Sequence, residues 1–135
     1  MAEERLFRED ILRLLKELDF LEEGCWLTSG AALVLYGVKE STRDIDLVCT
    51  TELADRLERQ GVPFRLDGLD GTRIFAVNDR VEVLENWHTD EVVTLEGVPA
   101  ASLLSIRRQK EELGREKDLL DIRLIDEFLE RKQGL

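Results

Sequence analysis

The sequence predicts an α/β domain built on a mixed sheet, not a doubly wound parallel one. Three observations point there. The segments run helix, strand, helix, strand, helix, several strands and then helices, so strands follow one another in the middle without intervening helices. Two short turns, Asn78-Asp79 and Glu96-Gly97, sit between strand-like runs and suggest local pairing. The chain has 135 residues, 43% hydrophobic and 36% charged, which is one globular domain able to bury its core without disulfides. The expected division is a core over about residues 1–99 and C-terminal helices over about 100–135.

The elements follow in order. Leu6, Phe7, Ile11, Leu14, Leu15 and Leu18 recur at helical spacing between charges, predicting a helix over 3–19. Cys25-Trp26-Leu27 is a short strand, and Thr28 and Ser29 offer cap oxygens to a second helix, 29–36, which stops at Gly37. A polar turn, Lys39 to Arg43, leads into a strand over 44–49. Thr50 or Thr51 then caps a helix over 52–60 that ends at Gly61. Strands are expected over 62–66, 72–77 and 80–85, the last two forming a hairpin. A further pairing joins Val92-Val93-Thr94 to the segment around Val98. From Ala100 onward the pattern is helical, and Gly114 divides it into helices over 100–113 and 115–132. Leu119, Ile122, Ile125, Phe128 and Leu129 give the second its apolar stripe.

The net charge of −11, from 30 acidic against 19 basic residues, repels phosphate backbones at long range and argues against generic nucleic-acid binding. Arg107, Arg108, Lys110, Arg115 and Lys117 lie close together, but Glu111, Glu112 and Glu116 interrupt them, as on a solvated, salt-bridged helix face. Cys25 and Cys49 have apolar neighbours and no metal-type spacing, so they read as reduced core residues. The opening MAEERLFRED lacks the basic and apolar regions of a signal peptide, and no apolar run has transmembrane length. A cytoplasmic protein without membrane contact is expected.

The chemistry centres on Asp44-Ile45-Asp46. Side chains alternate along a strand, so both carboxylates share one face, about 7 Å apart, and together suit a hard cation. The tripeptide alone is equally what a strand leaving a polar turn would show. The stretch before it adds weight. Ser29-Gly30 lies where a strand meets a helix, and such a junction presents unpaired N–H groups and a positive dipole end to a phosphate. Gly30, having no Cβ, lets a phosphate come close. An ordinary helix cap accounts for the same two residues.

Taken together, the run Ser29-Gly30-Ala31-Ala32-Leu33-Val34-Leu35-Tyr36-Gly37 followed by Ser41-Thr42-Arg43-Asp44-Ile45-Asp46-Leu47 resembles the DNA-polymerase-β-like nucleotidyltransferase superfamily. It is most similar to small bacterial members related to abortive-infection and toxin–antitoxin nucleotidyltransferases. Lys110, Gly114-Arg115-Glu116-Lys117-Asp118 and Asp121 resemble a second signature of the same group. The resemblance implies a nucleotidyltransferase fold with a C-terminal helical segment. It also implies transfer of a nucleoside monophosphate from an NTP to an acceptor hydroxyl on a protein, a tRNA end or a small molecule. One or two Mg²⁺ ions, or Mn²⁺, would be held by Asp44, Asp46 and a third acid at Glu82. Glu82 lies opposite in facing to Val81 and Val83, whereas Glu85 shares their face and is the weaker substitute.

Nucleotide-binding roles are implied for Ser29 and Gly30, for Lys110 and Lys117 as positive charges, and for Asp118 and Asp121 as their positioners. Lys117 and Asp121, four apart on a helix, equally make an ordinary surface pair. Arg43 would either orient a phosphate or neutralise the acids. The chain departs from the family pattern at Ser29, where a glycine is usual, at Gly30, where a serine is usual, and at Glu82, where an aspartate is usual. These departures suggest an alternative: a weakly active or inactive nucleotide-binding module, such as one partner of a toxin–antitoxin pair encoded by a neighbouring gene. His88 beside Trp87 reads as a surface loop residue.

Overall fold

A computed structural model describes residues 4–68 and 71–133. Seven strands form one mixed sheet in the order β3-β4-β5-β2-β1-β7-β6. Helix α1, Arg8–Lys16, precedes β1, Cys25–Thr28. Helix α2, Ser29–Tyr36, leads to β2, Ile45–Cys49, and α3, Thr51–Arg59, follows. Then come β3, Phe64–Leu66; β4, Arg73–Ala76; β5, Val81–Glu85; β6, Val92–Leu95; and β7, Val98–Ala101. Two helices, α4 at Leu103–Leu113 and α5 at Glu116–Gln133, complete the described chain.

Strand β1 is antiparallel to β2 and parallel to β7, while β2 is parallel to β5. Both hairpins form where the turns predicted them. Asn78 Oδ1 accepts the backbone N–H groups of Arg80 (2.8 Å) and Val81 (3.0 Å), folding the link between β4 and β5. Glu96 and Gly97, both at positive φ (55° and 78°), make the two-residue turn between β6 and β7.

The sheet has two unlike faces. Ile45, Leu47, Val81, Val83 and Phe75 point to one side and join Ile11, Leu15, Leu33, Leu53 and Leu57 of the helices in a single core. Helix α2 is buried over Ala31–Leu35, and Tyr36 anchors its end by donating to the Ala101 carbonyl (2.8 Å). The other face carries Thr28, Asp46 and Glu82 at one level, set side by side by strand register. Val48, Leu84 and Ile74 lie further along that face, buried but outside the main core.

Several expectations are corrected. The first helix begins at Arg8 instead of residue 3, which lies outside the described residues. Leu6 instead pairs with Thr42 through backbone bonds in both directions (2.7 and 3.0 Å), so extended pairing replaces the first helical turn. Phe7 is exposed, and its N–H is capped by Asp10 Oδ2 (2.9 Å). Ala100 and Ala101 belong to β7, and α4 starts only after Ser102, whose hydroxyl accepts from Ser105 N. On α5, Leu119 is 58% exposed, whereas Asp118 is fully buried. The inward row therefore runs Asp118, Ile122, Ile125, Leu129, with a carboxylate at the position a purely apolar stripe would give to leucine. No described helix is long and apolar enough to cross a membrane.

Candidate active site

The polar sheet face opens into a cleft of about 610 Å³. Its floor is Thr28, Asp46, Glu82 and Leu84, with Asp44 at the entrance to β2. One wall is the start of α2, Ser29 and Gly30, together with Lys39, Thr42 and Arg43. The other wall comes from α4 and α5 through Gln109, Lys110, Arg115, Lys117 and Asp121. Residues 81 positions apart, Ser29 and Lys110, thus meet, with Lys110 Nζ at 3.5 Å from Ser29 Oγ.

Ser29 has φ 57°, a left-handed conformation unusual for a residue with a side chain. The sequence resemblance predicts a glycine at this position, and the backbone here has a glycine-like turn. At the next position a Cβ on Gly30 would lie 2.5 Å from Thr42 Oγ1. The Thr42 hydroxyl takes the space that a side chain at residue 30 would need. Thr28 and Ser29 do not cap α2 with their hydroxyls: Thr28 Oγ1 turns to Gln109 Oε1 (3.3 Å). The N–H groups of the helix's first turn have no intrahelical acceptors, which is the property that suits an anion.

Asp46 is the electrostatic centre. Burial first, then the charges of Glu82 and Asp44, push its carboxyl up to about 6, against the pull of Lys110 and Lys117. The two neighbouring carboxylates add to the rise that burial causes, and the two lysines offset part of it. Asp44, which stands just outside β2 rather than within it, is exposed and contributes to that field.

Lys110 is nearly buried and is held by Asp121 (2.9 Å) and Asp118 (3.6 Å). Asp121 also takes Lys39 (3.2 Å), so its partners are Lys110 and Lys39, and Lys117 makes none of these ion pairs. Burial pushes the Asp118 carboxyl up, but bonds from the Arg115 side chain (2.6 and 3.1 Å) and backbone, with Lys110, hold it below the usual range. The basic run thus divides. Lys110, Arg115 and Lys117 face the cleft, whereas Arg107 pairs with Asp126 and Glu111, and Arg108 with Asp90 and Glu112. Arg43 lines the cleft, and its carbonyl accepts from Arg80 Nη1 (2.6 Å).

The third acid behaves differently from the first two. Glu82 lines the same cleft and is the register partner of Asp46, but it is bonded by Arg65 of β3 (2.9 and 3.5 Å). Among the described residues, no three carboxylate, imidazole or thiol groups stand close enough to enclose a metal ion as they are. The donor set of Asp44, Asp46 and Glu82 is all hard oxygen, so its chemistry suits Mg²⁺ or Mn²⁺ once Glu82 is released from Arg65. Glu85 is not an alternative: it is buried in bonds to Arg73 on the core side of the sheet. His88 is exposed, with Nε2 at 2.6 Å from Asp90.

Sequence reasoning did not single out Arg65, Trp87, Lys39, Thr42 or Gln109 as cleft residues. Lys39 and Thr42 lay in the polar turn before Asp44. Arg65 and Trp87 gave no signal of their own, because strand order brings them in.

The seven-stranded mixed sheet with its helices, the C-terminal one included, has the nucleotidyltransferase fold. A putative nucleotidyltransferase from Thermotoga maritima superposes with a TM-score of 0.61 and 20% identity, covering 91% of this chain and 96% of that one. The lincosamide antibiotic adenylyltransferase LnuA, solved with lincomycin bound, is 13% identical with a TM-score of 0.49, covering 91% of this chain and 98% of that one. No protein-family model matches the chain, and no curated protein matches it.

Proposed function

We propose that the protein is a divalent-cation-dependent nucleotidyltransferase that moves a nucleoside monophosphate from an NTP to an acceptor hydroxyl and releases pyrophosphate. One observation carries the reading. Asp46, in register with Glu82 and close enough to Asp44 to feel its charge, shares a cleft with the start of α2 and the buried cation Lys110. Negative charge for a metal and a cradle for phosphate line one cleft.

In this reading the backbone at Ser29 and Gly30 binds the β- and γ-phosphates, with Lys110 and Lys117 as counter-charges. Asp118 and Asp121 hold Lys110 in place, and Arg43 orients a phosphate at the cleft entrance. Asp44 and Asp46 bind one or two Mg²⁺ ions, or Mn²⁺, and Glu82 completes the acid set as third ligand or as base for the acceptor hydroxyl. The metal, when bound, supplies charge neutralisation for the transferring phosphoryl group. The acceptor is a protein side chain, a tRNA end or a small molecule, and the net charge of −11 disfavours a long polyanion.

A second reading, a nucleotide-binding module with little turnover such as a toxin–antitoxin partner, draws support from the Arg65–Glu82 bond, which occupies the third acid. The test is thermal stabilisation by ATP, CTP, GTP and UTP with Mg²⁺, using Asp44→Asn/Asp46→Asn as control. Stabilisation lost in the control is expected, and no stabilisation by any nucleotide defeats both readings. Labelled-NTP transfer in cell lysate then separates them: a labelled acceptor identifies an enzyme, and binding without transfer a module.

A further inference from the structure

Arg65 and Glu82 meet across the sheet in an unusual way. Strand β3 is an edge strand, and its three residues are exposed. Arg65 is in register with Ile74, and Ile74 with Leu84, so the Arg65 backbone lies two strands from β5. Its side chain nevertheless reaches back to Glu82, with Nη1 at 2.9 Å from Oε2 and Nη2 at 3.5 Å from Oε1. The strand order places Arg65 on the far side of Glu82 from Ser29 and Gly30. It therefore serves the third acid rather than the phosphate cradle.

We propose that Arg65 is a removable counter-ion: it occupies the Glu82 carboxylate in the metal-free protein and lets go when a divalent cation binds. The proposal rests on the reading that this cleft takes such a cation. The strength of the pair decides that it can open. Arg65 and Glu82 side chains are 60% and 36% exposed, and an ion pair so wetted contributes little. The Arg73–Glu85 pair, at 15% and 10%, is by contrast a fixed structural bond. Between free acid and bound metal stands only a weak, solvent-screened contact, and opening it frees the third carboxylate of the set, opposite Asp46 on the neighbouring strand.

The test is Mn²⁺ binding without nucleotide, followed by electron paramagnetic resonance of the free ion. Arg65→Gln is expected to bind Mn²⁺ about two- to fivefold more tightly than the wild type, the factor set by an exposed ion pair. Arg65→Lys, which keeps a cation beside Glu82, is expected to stay closer to the wild type. In a Glu82→Gln background, Arg65→Gln is expected to bring no tightening, since the acid it masks is gone. Arg59→Gln, at the exposed end of α3 outside the cleft, controls for simple loss of positive charge. Unchanged or weaker binding in Arg65→Gln overturns the proposal, as does equal tightening in Arg59→Gln or in the Glu82→Gln background. Asp46→Asn separates the two levels: if it leaves Mn²⁺ binding intact, or if no variant binds Mn²⁺, the reading of the cleft falls as well. If Asp46→Asn abolishes binding and Arg65→Gln does not tighten it, only the counter-ion role fails.

Discussion

A side chain at residue 30 and the Thr42 hydroxyl compete for one space: a Cβ on Gly30 would lie 2.5 Å from Thr42 Oγ1 and 3.4 Å from its Cβ. Thr42 is fixed by backbone bonds to Leu6, so it yields little. Gly30→Ala is expected to cost about 1–3 kcal/mol, as overpacking does. Thr42→Ala in the same chain removes the offending oxygen and is expected to recover most of the loss. Urea unfolding of the two single variants and the double variant checks this.

Ser29 holds φ 57° at the neighbouring position. Left-handed backbone costs a residue with a Cβ about 1–2 kcal/mol, while glycine loses about 0.5–1 kcal/mol more chain entropy on folding. Ser29→Gly is therefore expected to match the wild type or exceed it by up to about 1 kcal/mol. Ser29→Val is expected to fall by more than about 1 kcal/mol, because a β-branched residue tolerates this φ worst. Thermal unfolding of both variants gives the comparison.

Asp46 reverses the usual pH behaviour of an aspartate. Its native carboxyl is raised to about 6 from an ordinary value of 3.8, so between those values the folded protein keeps a proton that the unfolded chain releases. Its contribution to stability thus falls as pH rises through that window and stays low above it. Asp46→Asn is expected to stabilise the metal-free protein by about 1–3 kcal/mol above pH ~7 and to make no difference below pH ~4. Denaturant titrations at the two ends of the window suffice.

Lys110 balances two carboxylates that have almost no access to water. Lys110→Met is expected to lose about 3–5 kcal/mol, as when one partner of a buried ion pair is removed. The low end is favoured, because Arg115 still serves Asp118 and Lys39 still serves Asp121. Calorimetric unfolding reads the loss directly.

Arg73 ties Glu85 of β5 to Asp55 and Glu58 of α3. Its bonds hold the Glu85 carboxyl below the usual carboxylate range, so this contribution is complete above the unfolded value of 4.5 and fades as pH falls through the native one. Arg73→Met is expected to cost about 3 kcal/mol near neutrality. The gap to the wild type narrows in acid. No change in the cleft is expected, because the pair lies on the core side of the sheet.

Much of the fold was written in local patterns. Gly37 and Gly114 mark helix ends at positive φ (90° and 61°), and the two hairpin turns carry the residues their geometry asks for. The two acids before and on β2 were legible because alternation and a preceding strand–helix junction are features of neighbouring residues. What stayed hidden depends on long-range pairing. Leu6 left the helix because Thr42 offered it a strand partner, and no periodicity in residues 3–19 reports on residue 42. Arg65 became a cleft residue only through the order β3-β4-β5-β2, and Asp118 entered the buried row because Arg115 and Lys110 surround it. Single-sequence patterns carry faces and ends of elements, and they carry little about which strand lies beside which.

The 81-residue separation between Ser29 and Lys110 also bears on how the chain is made. A ribosome delivers β2 and β5 with their acids well before α4 and α5 emerge with Lys110 and Lys117. Until then the nascent sheet carries mutual repulsion among Asp44, Asp46 and Glu82, with Arg65 on Glu82 but without Lys110 and Lys117. The two-sided pocket consequently exists only after α4 and α5 have joined the sheet, so its basic wall is the later of its two halves to form.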